Sequence, residues 1–313
     1  MSLKKFLYVY AGLLIAMFLW GMTFIWYKQA YPKLTPISLV TIRLAFSSLF
    51  LFLLVISLKK LDSVNKKDIP QFLLLAFFEP FIYFIGESYG LKFASSTLAS
   101  LIVATIPLFT PFAAHYFFSE KLKTGNYFGI VISIIGVGLI IQTDKNVYES
   151  TPLGVLLMMI AVLSTIGFVI FVKKLSSKYN TYTVVFYQNL YGFLFFIPLF
   201  ILFNDHAQLL ENIHFSVIWP AIKLAVFGSI LAFVLFINSL KIIGIARASV
   251  FTNLIPVFTA ILSYFLLNEQ FGLKRIAGII IVISGLFLSQ VGTLIKFFKK
   301  PGDGSNSTVH FSN

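Results

Sequence analysis

Residues 107–120 read PLFTPFAAHYFFSE, and residues 256–269 read PVFTAILSYFLLNE. Set one above the other, Pro107, Phe109, Thr110 and Glu120 fall on Pro256, Phe258, Thr259 and Glu269, a shift of 149 positions. The same shift carries residues 72–141 onto 221–290 without a gap, with roughly 19 identities in about 70 positions. Leu91-Lys92 meets Leu240-Lys241, Ala99-Ser100 meets Ala248-Ser249, and Gly129 and Gly136 meet Gly278 and Gly285. Apolar helices share Leu and Ile through composition alone. They do not share Pro, Glu and two Gly in one register without a common origin, so the chain is built from two related halves. Upstream the likeness weakens to a shift near 145, which pairs Arg43 with Gln188.

The halves are made of membrane-grade sequence. Of 313 residues, 58% are hydrophobic, 17% aromatic and only 11% charged. Soluble domains carry about 25% charged residues, and a membrane-crossing helix needs roughly 20 mostly apolar ones. Ten apolar segments separate, near 7–28, 36–58, 69–91, 95–118, 126–142, 152–172, 182–203, 217–240, 247–267 and 275–295. What remains leaves no room for a soluble ectodomain or a nucleotide-hydrolysing module. Lys4 and Lys5 ahead of the first apolar run imitate a signal peptide. That run is too long and lacks a clear small-residue cleavage site, so it reads as a retained helix.

The formal charge of +13 distributes by side. Even-numbered connections and both tails hold about 16 Lys and Arg against about 6 in the odd-numbered ones, which places both termini in the cytoplasm. The charge is therefore a topology signal, and nucleic acid is not an expected partner. Five spans per half is an odd number, so the second half should enter the membrane from the opposite face. Such inverted repeats are a common basis for alternating access. The expected organisation is a first repeat over 1–145, a second over 146–295, and a disordered cytoplasmic tail over 296–313. With no cysteine, disulfides and thiolate-bound metals are excluded.

The combination of ten spans, two five-helix repeats, Leu19-Trp20-Gly21, Arg43, Pro107-Leu108-Phe109-Thr110 with Glu120, and Pro256-Val257-Phe258-Thr259 with Asn268-Glu269 resembles the drug/metabolite transporter superfamily. Within it, the EamA-like branch is the match, over about residues 10–290. The resemblance implies an all-helical carrier in a bacterial inner membrane, often an exporter of amino acids or related metabolites. Glu79-Pro80 and Glu87 in the third span depart from the common pattern.

Those departures are also the best site candidates, because charge inside hydrocarbon is costly and faces a bundle interior. Glu79 lies about 15 Å into its span at 1.5 Å per residue. On a continuous helix Glu79, Tyr83, Gly86, Glu87 and Gly90 share an arc of about 100°, with Phe77, Phe78, Phe81 and Ile85 outside it. A carboxyl at that depth suits binding of a proton or a substrate amine; the alternative is a structural hydrogen bond beside Pro80. Arg43 and Glu87 have matching depths and are expected to pair, either as a structural lock or as a clamp for a substrate carboxylate. Gln188 breaks the symmetry with Arg43.

Pro107 and Pro256 should interrupt their helices mid-span, as hinges or as fixed kinks, with Ser100, Thr105, Ser249 and Asn253 at hand for the freed carbonyls. Trp20, Tyr187 and Tyr191 are candidates for an aromatic cavity wall, against ordinary packing. Glu120 and Glu269 read as caps or partners of nearby bases. The glycine pairs read as packing faces, with a homodimer contact as the minor alternative. His115 reads as a snorkelling side chain near a helix end.

No phosphate-binding loop, zinc-protease or nucleophile-elbow motif occurs, so no cofactor and no metal are expected. The reading is a secondary active carrier exporting a small metabolite such as an amino acid, with proton coupling open. An uncoupled facilitator and a membrane enzyme or scaffold are the alternatives.

Overall fold

The computed structural model describes residues 3–109, 128, 131–132, 135–136, 139, 151–203, 214–243, 248 and 251–298. Among them every regular element is helical. Six helices are long and apolar enough to cross a membrane: Tyr8–Ala30, Pro36–Ser57, Lys66–Lys92, Pro152–Lys178, Thr181–Phe203 and Val217–Ile243. Shorter apolar helices cover Ser96–Phe109, Phe251–Leu266 and Ile276–Gly285. These occupy every expected segment except 126–142, most of which lies outside the described residues, as do His115, Glu120, Gly129 and the tail beyond Phe298; residues 296–298, expected in a disordered tail, continue the last helix.

The first two helices are α1 (Leu3–Ala30) and α2 (Pro36–Ser57). Thr35 starts α2 as its cap, accepting from the Ser38 backbone N–H at 3.2 Å, with Pro36 in the first turn where no donor is missed. Thr151 and Pro152 repeat that device at the start of α6 (Pro152–Lys178). This helix runs past the expected end at 172, since Lys173 and Lys174 can lay their stems along it while their ammonium groups reach water. Next follows α7 (Thr181–Phe203).

The third span is divided. α3 (Ile69–Ala76) leads into a π-helical turn over Phe77–Ile82, and α4 (Tyr83–Lys92) completes the crossing. Its partner at the 149-residue register is divided alike: α8 (Phe215–Lys223), a π-helical turn over Leu224–Leu231, then α9 (Ala232–Ile243). The two widened turns end at equivalent residues, Ile82 and Leu231.

The fourth span begins as α5 (Ser96–Val103), breaks at Ala104-Thr105 and resumes through Phe109. Its equivalent opens with a 3-10 turn over Phe251–Leu254 and continues as α10 (Ile255–Leu266). The last helix is α11 (Leu273–Phe298). Pro256 therefore stands in the first turn of α10, where proline costs no hydrogen bond, and not in mid-helix as expected. Pro107 follows its break in the same way, and the Thr105 hydroxyl donates to the Ile102 carbonyl at 2.6 Å. The interruptions precede the prolines.

Apolar side chains face outward and polar ones inward. Ile201, Leu202 and Phe203 are 62%, 73% and 68% exposed, while Arg43, Gln188 and Asn189 are buried. That is the arrangement expected in lipid. α2 packs along α7, α4 along α6, and α1 against α9 and α10. Glycine sets the closest of these approaches: a Cβ on Gly86 would lie 2.6 Å from the Leu157 carbonyl oxygen, and one on Gly90 2.7 Å from Met158. Gly136 meets Val282 and the backbone of Gly278 within the same chain, so this glycine is used in internal packing.

Candidate functional site

Pro80 shapes the site. A residue preceding proline is driven out of the α region, and Glu79 has an extended backbone (φ −147°, ψ 114°) inside the widened turn. The Glu79–Pro80 peptide is cis. The ring of Pro80 fills the space left by Gly192 on α7.

The single polar arc expected of the third span divides into a cavity edge and a packing edge. Glu79, Tyr83 and Glu87 face a common cavity, whereas Gly86 and Gly90 turn to α6 as packing residues. Phe78 and Phe81, expected outside the arc, do pack away from the cavity, on Phe171 and on Phe195 and Phe196.

The cavity encloses about 820 Å³ of empty space, its mouth included. Its charged lining consists of Arg43, Glu79 and Glu87. Arg43 is 2% exposed and is the largest of the fully buried side chains. Its Nε donates to the Ser229 Oγ at 2.7 Å, and its Nη1 donates to the Tyr27 hydroxyl at 2.8 Å. The Phe84 ring lies 4.0 Å from its Cζ, and the Glu87 Oε2 is 3.9 Å from Nη1. Glu87 also accepts from the Tyr83 hydroxyl at 3.2 Å. The expected Arg43–Glu87 pair thus exists, embedded in a shell that stitches α1, α2, α4 and the turn before α9.

Glu79 is different. It is 6% exposed, lines the cavity, and takes no hydrogen bond or ion pair from any described residue.

Aromatic side chains make nearly half of the remaining wall, with threonines and aliphatic residues making the rest. Trp20 packs on Phe233 and Phe236 at 5.2 and 5.1 Å, and Phe168 reaches Phe233 at 6.1 Å. The Trp20 Nε1 donates to the Gly228 carbonyl at 3.3 Å, which fixes the indole. The two helix interruptions supply the last pieces, Val103 with Ile106 and Thr252 with Ile255. Each pair sits at the equivalent register of its half.

The other candidates fall elsewhere. Gln188 is buried but lies outside the cavity lining, and its Oε1 has no hydrogen-bond partner among the described residues. Asn253 is buried beside Thr252 without lining the cavity itself. Tyr187 packs on Phe72 and stacks on Tyr191, so neither tyrosine contributes to the wall. Glu269 caps α5, accepting from the Ser96 N–H at 2.9 Å and the Thr97 hydroxyl at 2.7 Å.

Sequence reading missed Tyr27, Ser229, Phe84, Phe233 and Phe236. Two signals were present: Trp20, Thr23, Phe24 and Tyr27 repeat at helical spacing, and Phe233 is the register equivalent of Phe84. Among the described residues no cluster of His, Cys, Asp and Glu could hold a metal ion.

A multi-pass helical membrane protein with buried charge around an internal cavity belongs to the transporter class of architectures. Residues 7–142 and 152–290 match the EamA-like transporter family, and the chain is a member of it. Among its relatives, the uncharacterized transporter YetK of Bacillus subtilis is 26% identical, covering 92% of this chain and 88% of that one. An uncharacterized transporter of Archaeoglobus fulgidus is 27% identical over 86% of this chain and 94% of its own. A probable amino-acid metabolite efflux pump of Salmonella typhimurium is 25% identical over 90% and 95%. A solved structure titled "Crystal structure of protein" superposes with a TM-score of 0.65, covering 93% of this chain and 99% of that one at 12% identity, a likeness of fold.

Proposed function

We propose that this chain is a secondary carrier that exports a small metabolite, of about amino-acid size, across a bacterial inner membrane by alternating access around the Arg43–Glu79–Glu87 cavity. The observation that carries this reading is a buried carboxylate, Glu79, with no hydrogen bond or ion pair among the described residues, in a cavity lined by both halves. A buried charge of that kind is stable only when a proton or a ligand neutralises it. Exchange of the two at one carboxylate would couple export to proton entry. The Salmonella typhimurium relative, named as a probable amino-acid metabolite efflux pump, supports the size and direction. Inverted five-helix halves, with both termini cytoplasmic, complete the proposal. They rest on the odd span count and the charge asymmetry.

Efflux from proteoliposomes under an imposed pH gradient tests it. Glu79→Gln should abolish pH-dependent accumulation, leaving at most downhill flux. Unchanged transport and pH dependence in Glu79→Gln would remove the coupling role. Accumulation that never exceeds the substrate gradient in the unaltered protein would instead favour an uncoupled facilitator.

A further inference from the structure

Resting on the carrier reading above, we infer that the cavity selects an amphipathic organic monocation, an amine with an aromatic or branched apolar body, over a zwitterionic amino acid. The inference follows from how the lining charges are already used. Three charged side chains line the cavity, one basic and two acidic. Arg43 is engaged by Tyr27, Ser229, the Phe84 ring and Glu87. Its guanidinium is thus a structural post of the wall, with Nε and Nη1 donating and Nη2 set beside Gly228. Glu87 is matched to Arg43 and to Tyr83. Among the described lining residues, the charged group left without an ion pair or hydrogen bond is Glu79.

A zwitterion entering this space would place its ammonium at Glu79 and leave its own carboxylate in a largely apolar cavity whose one described cation, Arg43, is already paired with Glu87. Stranding a buried charge is expensive. A monocation leaves nothing stranded.

The aromatic part of the wall suits such a ligand. Trp20, Phe168, Phe233 and Phe236 form a contiguous ring cluster. Aromatic faces attract ammonium groups electrostatically and accept apolar bodies by contact. Trp20 is held by its bond to the Gly228 carbonyl, so its face is fixed before a ligand arrives.

The test compares two probes that share a body. β-Phenylethylamine carries only the ammonium, and phenylalanine adds the carboxylate. Binding of each to purified protein in detergent is measured by calorimetry, and uptake of each is measured in proteoliposomes. The amine should bind at least ~10-fold more tightly than phenylalanine, and the uncharged 2-phenylethanol should bind weakly. Glu79→Gln should remove at least ~10-fold of the amine affinity while leaving 2-phenylethanol unchanged.

Equal or tighter binding of phenylalanine by the unaltered protein would overturn the inference, and so would binding of neither probe by protein with intact helical circular dichroism. These comparisons need no variant to fold. Uptake separates the two claims. Phenylalanine crossing while the amine does not would overturn the cation assignment and keep the carrier. Selective amine binding with no flux of any solute would keep the assignment and overturn the carrier.

Discussion

The Ile69–Lys92 and Phe215–Ile243 segments share a register, a widened turn and a place beside the cavity, yet they bring opposite chemistry to it. Where the first has Glu79, Tyr83 and Glu87, the second has Gly228, Ala232 and Phe236. Within these two segments Phe84 and Phe233 are the one identical pair of equivalent wall residues. The backbone break was kept in both copies while the side chains diverged. One copy supplies charge; the other supplies rings, the Gly228 carbonyl that anchors Trp20, and the Ser229 hydroxyl that holds Arg43. A duplicated frame thereby carries a chemically one-sided cavity.

Removing the post between the two segments has the largest expected effect. Arg43→Ala leaves Glu87 without its counter-charge and opens a void between Tyr27, Phe84 and Ser229, and breaking a buried pair costs about 3–5 kcal/mol. Thermal unfolding in detergent should show a large drop, or little folded protein.

A swap across the register comes next. Gly86 is equivalent to Leu235, and Gly86→Leu forces a side chain against the Leu157 carbonyl and the Ala161 backbone. Overpacking of this kind costs about 1–3 kcal/mol, and separation of α4 from α6 should place it at the upper end. Normal stability of this variant would mean that the close helix approach is not required.

Ser229→Ala tests the second copy's hold on Arg43. It removes one hydrogen bond to a charged group, worth about 1.5 kcal/mol, and should lower the melting temperature less than either change above. The smallest effect belongs to Ser47→Ala. It deletes the 2.8 Å bond to the Asn189 Oδ1 between α2 and α7, and interhelical bonds in membranes average about 0.6 kcal/mol.

The sequence made the frame legible wherever periodicity and composition act locally. Spans bounded by Thr35-Pro36 and Thr151-Pro152 began where expected, since caps and first-turn prolines are local signals. The depth match of Arg43 and Glu87 was also readable. The splitting of the polar arc was not, because Tyr83, Gly86, Glu87 and Gly90 share α4 and only the approach of α6 decides which edge of the arc packs and which faces the cavity. Tyr27 and Ser229 escaped notice for another reason. Neither is unusual in a helix, and only the three-dimensional meeting of α1, α2 and the turn before α9 gives them Arg43 to hold. Gln188 was singled out by register with Arg43, but the weaker upstream alignment carried it to the α7 face, outside the cavity.

The chain contains no cysteine, which makes the central claim open to a direct measurement. Thr252 lines the cavity at the second-half helix interruption. A single Thr252→Cys in sealed vesicles of each orientation should react with a membrane-impermeant maleimide from both faces, one face at a time as the cavity opens to it. Labelling confined to one face, with and without substrate, would contradict a site that alternates between the two sides.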